Sequence, residues 1–409
     1  MKNKLSLTAI ALAALMTACS SKNETVTTRV ELPGTIDEEA FAANVESISV
    51  MNLEMGDDWT LADGFNFSVD KNYIYMRTYS HVAVTSRSRI ICFDQRSGEK
   101  ISSRFISGRG PGEISDFVSM YCFDDNLFVT DYTGIIRQYD HNCSFVGKLH
   151  EFDESLSGIQ VLRLSNGKYA LFSKIISHSD SAKPAVMLTD KSFNIKSSHF
   201  AVPQAPVGLK AGFTNLYYAN NDTIRFFLSC DNHLFTLYGD TEQTTELIVP
   251  NPLTVEKAYD EAKTGMILLN NLLKYDGRFG HLCESGRFVL FGYDINSSLH
   301  LTMLDKRTNG IISVICASEH NLNNTTDIVI DLFNRQKIIY TDGKFIYAKC
   351  KNSDLTSLLE GHDNLLDNRL KKTQAEYRAF LERNAEYIKD LDSDERDAAA
   401  VLLKIKLKD

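Results

Sequence analysis

The chain has 409 residues, 43% of them hydrophobic and 24% charged, with a formal net charge of −9. This is a globular composition long enough to bury an extensive core, and an acidic balance without a basic cluster argues against nucleic-acid binding. The histidines form no His-x-His or His-Glu-x-x-His pattern and no Gly-x-Ser-x-Gly elbow occurs, so neither a metal site nor a serine hydrolase is indicated and no cofactor is expected.

Taken in order, the chain opens with Lys2 and Lys4, an apolar run over residues 5–16, then Thr17-Ala18-Cys19. A basic start, a run too short to span a bilayer and a small residue before a cleavage point predict a secretory signal peptide over 1–18. Ala18-Cys19 resembles the lipobox of bacterial lipoproteins, which implies lipidation at Cys19 and a membrane tether. Losing residues 1–18 takes two lysines with it and moves the net charge from −9 to −11. Residues 19–44 are polar and aperiodic, as expected of a tether. Residues 45–55 alternate as a strand, and residues 400–407 (AVLLKIKL) do the same at the other end.

Between these ends one pattern recurs. After a turn of Asn, Asp, Ser or Gly, an apolar burst begins at Tyr73, Leu127, Tyr169, Ile224, Phe288 and Phe345. A second marker, Asp closing the next strand, falls at Asp94, Asp140, Asp190, Asp240 and Asp305, at spacings of 46, 50, 50 and 65. Self-similarity at about 40–50 residues with four short strands per unit predicts an all-β, six-bladed β-propeller of four-stranded antiparallel blades. The expected blades are 61–107, 114–152, 158–202, 212–250, 279–318, and a last one begun at about Ile328 and completed by both chain ends. Residues 253–275 and 365–391 carry helical spacing and read as insertions into a propeller domain spanning 45–409.

Gly108-Arg109-Gly110-Pro111-Gly112-Glu113 falls between the first two units. No Lys, Ser or Thr follows it and no helix begins there, so it is not a phosphate loop; it predicts a sharp turn holding Arg109 and Glu113 apart on a rigid frame. With the leader, Leu53-Glu54, the Phe93-Asp94 and Tyr139-Asp140 strand ends and the closing Ile405-Lys406-Leu407-Lys408, it resembles the six-bladed β-propeller lipoproteins of Bacteroidetes-type bacteria. This chain departs from them at Ala398-Ala399-Ala400, where Asn-Pro is common. The resemblance implies fold and an outer-membrane location, periplasmic or surface-facing, and implies no chemistry.

In propellers, loops between the second and third strands share one face with the links between blades. One rim should therefore gather Arg77, Tyr79, His81, Arg109, Glu113, Asp131, Tyr132, Lys174, His178, Tyr293 and Asp294, with both helical insertions emerging beside them. A bowl of mixed charge with tyrosine platforms suits a polar ligand such as a glycan or peptide. Beyond Cys19 seven cysteines remain, without a Cys-x-x-Cys pair and mostly inside strands, which reads as buried apolar residues, with one local disulfide left open. The expected function is a lipid-anchored, non-catalytic envelope module that binds a polar ligand or a protein partner. The alternatives are a lyase or glycoside-active propeller using the same rim, and a scaffold subunit marked by an exposed apolar patch on a side or face.

Overall fold

The structure is a computed structural model that describes residues 26–32, 37–54, 64–80, 87–153, 156, 158–173, 183–202, 216–220, 222–228, 231–254, 256–257, 260, 275–277, 279–296, 298–316, 321–335, 337–389 and 401–409. Two strands lie near the amino terminus, β1 (Val26–Glu31) and β2 (Val45–Asn52). Four-stranded antiparallel sheets follow in chain order. Blade one is β3 (Gly64–Val69), β4 (Tyr73–Ser80), β5 (Arg87–Asp94) and β6 (Lys100–Phe105). Blade two is β7 (Phe117–Phe123), β8 (Asn126–Asp131), β9 (Ile135–Tyr139) and β10 (Phe145–Glu151). Blade three is β11 (Ile159–Arg163), β12 (Tyr169–Ser173), β13 (Lys183–Thr189) and β14 (Ile195–Val202). Blade four is β15 (Leu216–Asn220), β16 (Thr223–Phe227), β17 (His233–Tyr238) and β18 (Thr241–Ile248). Blade five is β19 (Gly280–Ser285), β20 (Phe288–Ile295), β21 (Ser298–Asp305) and β22 (Gly310–Cys316).

The sixth sheet runs β23 (Lys337–Thr341), β24 (Phe345–Cys350), β25 (Val401–Leu407) and β2, so the two chain ends close one blade together. First strands pack on their neighbours around the ring, β3 on β7, β7 on β11, β15 on β19, β19 on β23 and β23 back on β3. The fold is a six-bladed β-propeller.

The repeat markers now have physical causes. Each apolar burst is the second strand of a blade, sandwiched between the two adjoining blades, so consecutive residues are buried instead of every other one. In β4, Ile74 and Met76 enter the core against blade six while Tyr75 enters the core against blade two. In β20, Phe288 and Leu290 face one cluster and Val289 and Phe291 the other. The Asp marker stands where the third strand turns into the fourth. Asp94 accepts from the Arg96 and Ser97 amides at 2.9 and 2.8 Å, and Asp140 from Asn142 and Ser144 at 2.9 and 2.8 Å. Asp190 does the same with Ser192 and Asn194 at 2.8 and 3.0 Å. These are Asx turns, in which a carboxylate satisfies amides that the hairpin leaves unpaired.

Two expectations change. Residues 19–44 hold more than a tether: β1 adds in parallel to β18 as a fifth strand, and α1 (Glu38–Ala43) packs on β22. Ile328 lies in a helix, α2 (Thr325–Arg335), and the sixth blade starts at Lys337. Three further helices, α3 (Asn352–Glu360), α4 (Asn368–Arg383) and the short α5 (Ala385–Ile388), lie between β24 and β25; α4 falls within the helical spacing of 365–391 and packs on β2. Most of the expected helix over 253–275 lies outside the described residues.

Candidate functional site: the link face and the outer edges

Second-to-third-strand loops and blade links do share a face. The Tyr132 amide donates to the Asp116 carbonyl at 2.8 Å, Gly158 to Tyr132 at 3.0 Å, Ile106 to Ser88 at 2.9 Å and Gly277 to Asp294 at 2.7 Å. On this face three charged side chains of the expected rim, Arg77, Asp131 and Glu113, are taken up by architecture. Arg77 donates to Asn66 Oδ1 at 3.0 Å and Ser88 Oγ at 2.7 Å, and its guanidinium lies over the Phe117 ring, wedged between blades one and two. Asp131 is 1% exposed; it accepts from the amides of Thr133 and Ile135, each at 3.1 Å, and pairs with Arg137.

Glu113 folds back into the glycine turn, where its carboxylate accepts the Gly110 amide at 2.8 Å. A Cβ on Gly108 would lie 2.0 Å from Glu113 Oε2, so the glycines make room for the chain's own anion. Gly112 sits at φ +73° with its carbonyl accepting the Tyr139 hydroxyl at 3.0 Å, and a Cβ there would come within 2.6 Å of the Phe145 ring. The motif is the brace between the first blade and the outer strands of the second. Gly112→Ala should therefore destabilise by about 1–3 kcal/mol through backbone strain and overpacking. Arg109→Ala, at an exposed position, should stay within about 0.5 kcal/mol; urea midpoints of the two variants check both.

Tyr293, expected as an open platform, is wholly buried, stacked on His300 at 5.3 Å, with burial pushing its phenol up to about 12. The reason is its place in β20, a second strand enclosed on both faces. Asp294 is half-buried, while Arg109 and Tyr132 are exposed, Tyr132 by 53%. Tyr79 stands next to the end of β4. His81, Lys174, His178 and Cys19 lie outside the described residues.

The cysteines at 92, 122, 143, 283, 316 and 350 are free thiols, and burial raises the pKa of each. Among the described residues no three His, Cys, Asp or Glu side chains are arranged to hold a metal. One relay does have a nucleophile-base order: Ser197 Oγ lies 2.8 Å from His199 Nε2, and His199 Nδ1 lies 3.2 Å from Glu242 Oε1. The same Glu242 oxygen accepts the Phe200 amide at 3.2 Å, so the network clamps β14 of blade three to β18 of blade four.

The feature that sequence reasoning did not locate is the perimeter. Blades four, five and six have their outermost strands covered, β18 by β1, β22 by α1 and β2 by α4. Among the described residues, β6, β10 and β14 end their sheets without a further strand. They carry exposed Ile101 and Phe105, Val146 and Leu149, and Ile195 respectively. Val146 and Leu149 stand at the two register shifts of β10, where a bulge turns them outward. A one-residue shift has no mark in the amino-acid pattern, so FVGKLHE reads as an ordinary strand.

No family model and no curated protein matches the chain. Among solved structures, it is similar to a protein of Bacteroides fragilis NCTC 9343 whose name marks it as a candidate exported protein, at 15% identity and TM-score 0.60, over 94% of this chain and 100% of that one. BamB from Moraxella catarrhalis superposes more loosely, at 13% identity and TM-score 0.34 over 84% and 82% of the two chains. So does the computationally designed Ika8 protein, at 10% and 0.35 over 76% and 71%. At these identities the first likeness is one of fold.

Proposed function

We propose that this chain is a non-catalytic binding module of the cell envelope, lipid-anchored at Cys19, that holds a protein partner against the outer strands of blades one to three. The observation that carries the reading is the uneven perimeter among the described residues, where β18, β22 and β2 are covered and β6, β10 and β14 stand at the edge with apolar side chains exposed. An open strand edge with apolar residues promotes association, which suits these three strands to a protein partner. Export of the partnered module agrees with the leader over residues 1–18. A polar ligand on the link face is the rival; it would rest on Arg109, Tyr132 and Asp294 together with Tyr79, His81, Lys174 and His178.

The test is photo-crosslinking in intact cells, with a photoreactive amino acid placed in turn at Phe105, Val146, Ile195 and Tyr132, in the native background and with Cys19→Ala. Adducts of one size from the three edge positions and none from Tyr132 are expected, with the protein leaving the membrane fraction in Cys19→Ala. Adducts from Tyr132 alone would move the site to the link face. Membrane retention of Cys19→Ala would remove the lipid anchor from the proposal.

A further inference from the structure

The seam between blades two and three contains a cation that the fold does not match. Arg163 ends β11 and Phe123 ends β7, both first strands, so the two meet at the inner end of the seam on the face of the hairpin turns. The Arg163 guanidinium lies over the Phe123 ring. Its Nε is buried without a hydrogen-bond partner, and no carboxylate of the described residues pairs with it. Arg225, which crosses the seam between blades four and five, is matched there by Glu284.

A second orphan stands in the same seam. Tyr121, on β7, is 7% exposed, and its hydroxyl meets only that of Tyr169, without the geometry of a full hydrogen bond. Its ring is stacked on Phe128 at 5.0 Å and lies 6.4 Å from Tyr169 of blade three. Burial raises its phenol well above the usual range, Tyr169 adds to that, and the Arg163 charge pulls the other way, which places the hydroxyl in the field of the guanidinium. Lys191 adds a second cation: a methyl group built on Gly167 would lie 3.6 Å from Lys191 Nζ and 3.7 Å from Arg163 Nη2. Asp222 of blade four reaches the same turn, but it is held by Ser165 Oγ at 2.8 Å and the Asn166 amide at 3.3 Å.

The buried Nε–H of the half-buried Arg163 and the enclosed Tyr121 hydroxyl are donors that an acceptor of negative charge would satisfy, with the exposed Lys191 ammonium close by. A water molecule could take the hydrogen bonds and would leave the charge. We propose that the seam between blades two and three is a binding site for a carboxylate-bearing ligand, gripped by the Arg163 guanidinium and the Tyr121 hydroxyl, with Lys191 at its mouth. The planar fork of arginine fits the two oxygens of a carboxylate, and the Phe123 ring that holds it flat suits an aryl or acyl carboxylate over inorganic phosphate. The site is independent of the perimeter interface and lies on the face opposite the links.

The experiment is calorimetric titration of the full mature chain with sodium benzoate, sodium acetate and inorganic phosphate, repeated in Arg163→Met, Tyr121→Phe, Lys191→Met and the link-face control Arg109→Met. One-to-one carboxylate binding is expected, weakened at least about tenfold in Arg163→Met, since a charge-assisted bond is lost. Tyr121→Phe and Lys191→Met should weaken it less, and Arg109→Met not at all. Absence of carboxylate binding to the native chain would overturn the proposal, as would equal affinity in Arg163→Met or stronger binding of phosphate. Should Arg163→Met fail to fold, unchanged affinity in Tyr121→Phe would overturn it by itself.

Discussion

Deleting residues 401–409 should leave no folded propeller. The deletion removes β25, which pairs with β24 on one side and β2 on the other, so the sixth blade loses its third strand and its fourth is cut adrift. Val401, Leu402, Leu403, Ile405 and Leu407 are each no more than 1% exposed. At about 1.5–3 kcal/mol for each large apolar side chain, their burial is comparable to the whole stability of a domain, about 5–15 kcal/mol. Near-ultraviolet circular dichroism and a thermal melt read the result, and a cooperative melt with native tertiary signal would show that the ring closes without this strand. Leu403→Ala grades the effect, at about 2–5 kcal/mol for a large-to-small change in a close-packed core. Lys406→Ala is the control: its pair with Glu46 is at the surface and is worth about 1 kcal/mol or less.

That closure was legible in the sequence because both partners carry their own apolar alternation. ISVMN and LLKIKL each declare a strand without a neighbour in the chain, and a ring has one place for two such strands. β1 was not legible for the opposite reason. VTTRVE offers a weak alternation with polar residues on both sides, and its strand character comes from β18, which lies more than two hundred residues away in sequence and lends it a hydrogen-bonding edge. In α2, Ile328, Val329, Ile330, Leu332 and Phe333 are all buried, because the helix is enclosed by α1, α3 and β22. The β-branched run Ile328-Val329-Ile330 at its centre reads as a strand in the sequence alone.

For the site, residue types were legible and their employment was not. Asp131 and Glu113 look like ligand-binding carboxylates until the amides of Thr133, Ile135 and Gly110 are placed beside them. Turn-forming and ligand-binding acids have the same side chain, and what separates them is whether a backbone amide has already claimed the oxygen.

Glu284 carries the second large prediction. It lies on β19 at 3% exposure, with Arg225 from β16 of blade four on one carboxylate oxygen and Lys306 from the turn after β21 on the other. Two cations that converge on one buried anion are tolerable while the anion is present. Glu284→Ala leaves them partly desolvated and facing each other, and removing one member of a buried ionic cluster costs about 3–5 kcal/mol. The loss should be insensitive to salt, because ions screen exposed charges far better than enclosed ones. The triple variant Arg225→Met, Glu284→Leu, Lys306→Met removes the charges together and should recover most of the loss, since desolvation offsets much of what a buried ion cluster contributes. Chemical denaturation at low and high salt separates the cases. If Glu284→Ala matches the native midpoint, the carboxylate is not the element that binds blade four to blade five; if the triple variant falls as far as the single one, packing and not charge is what the site supplies.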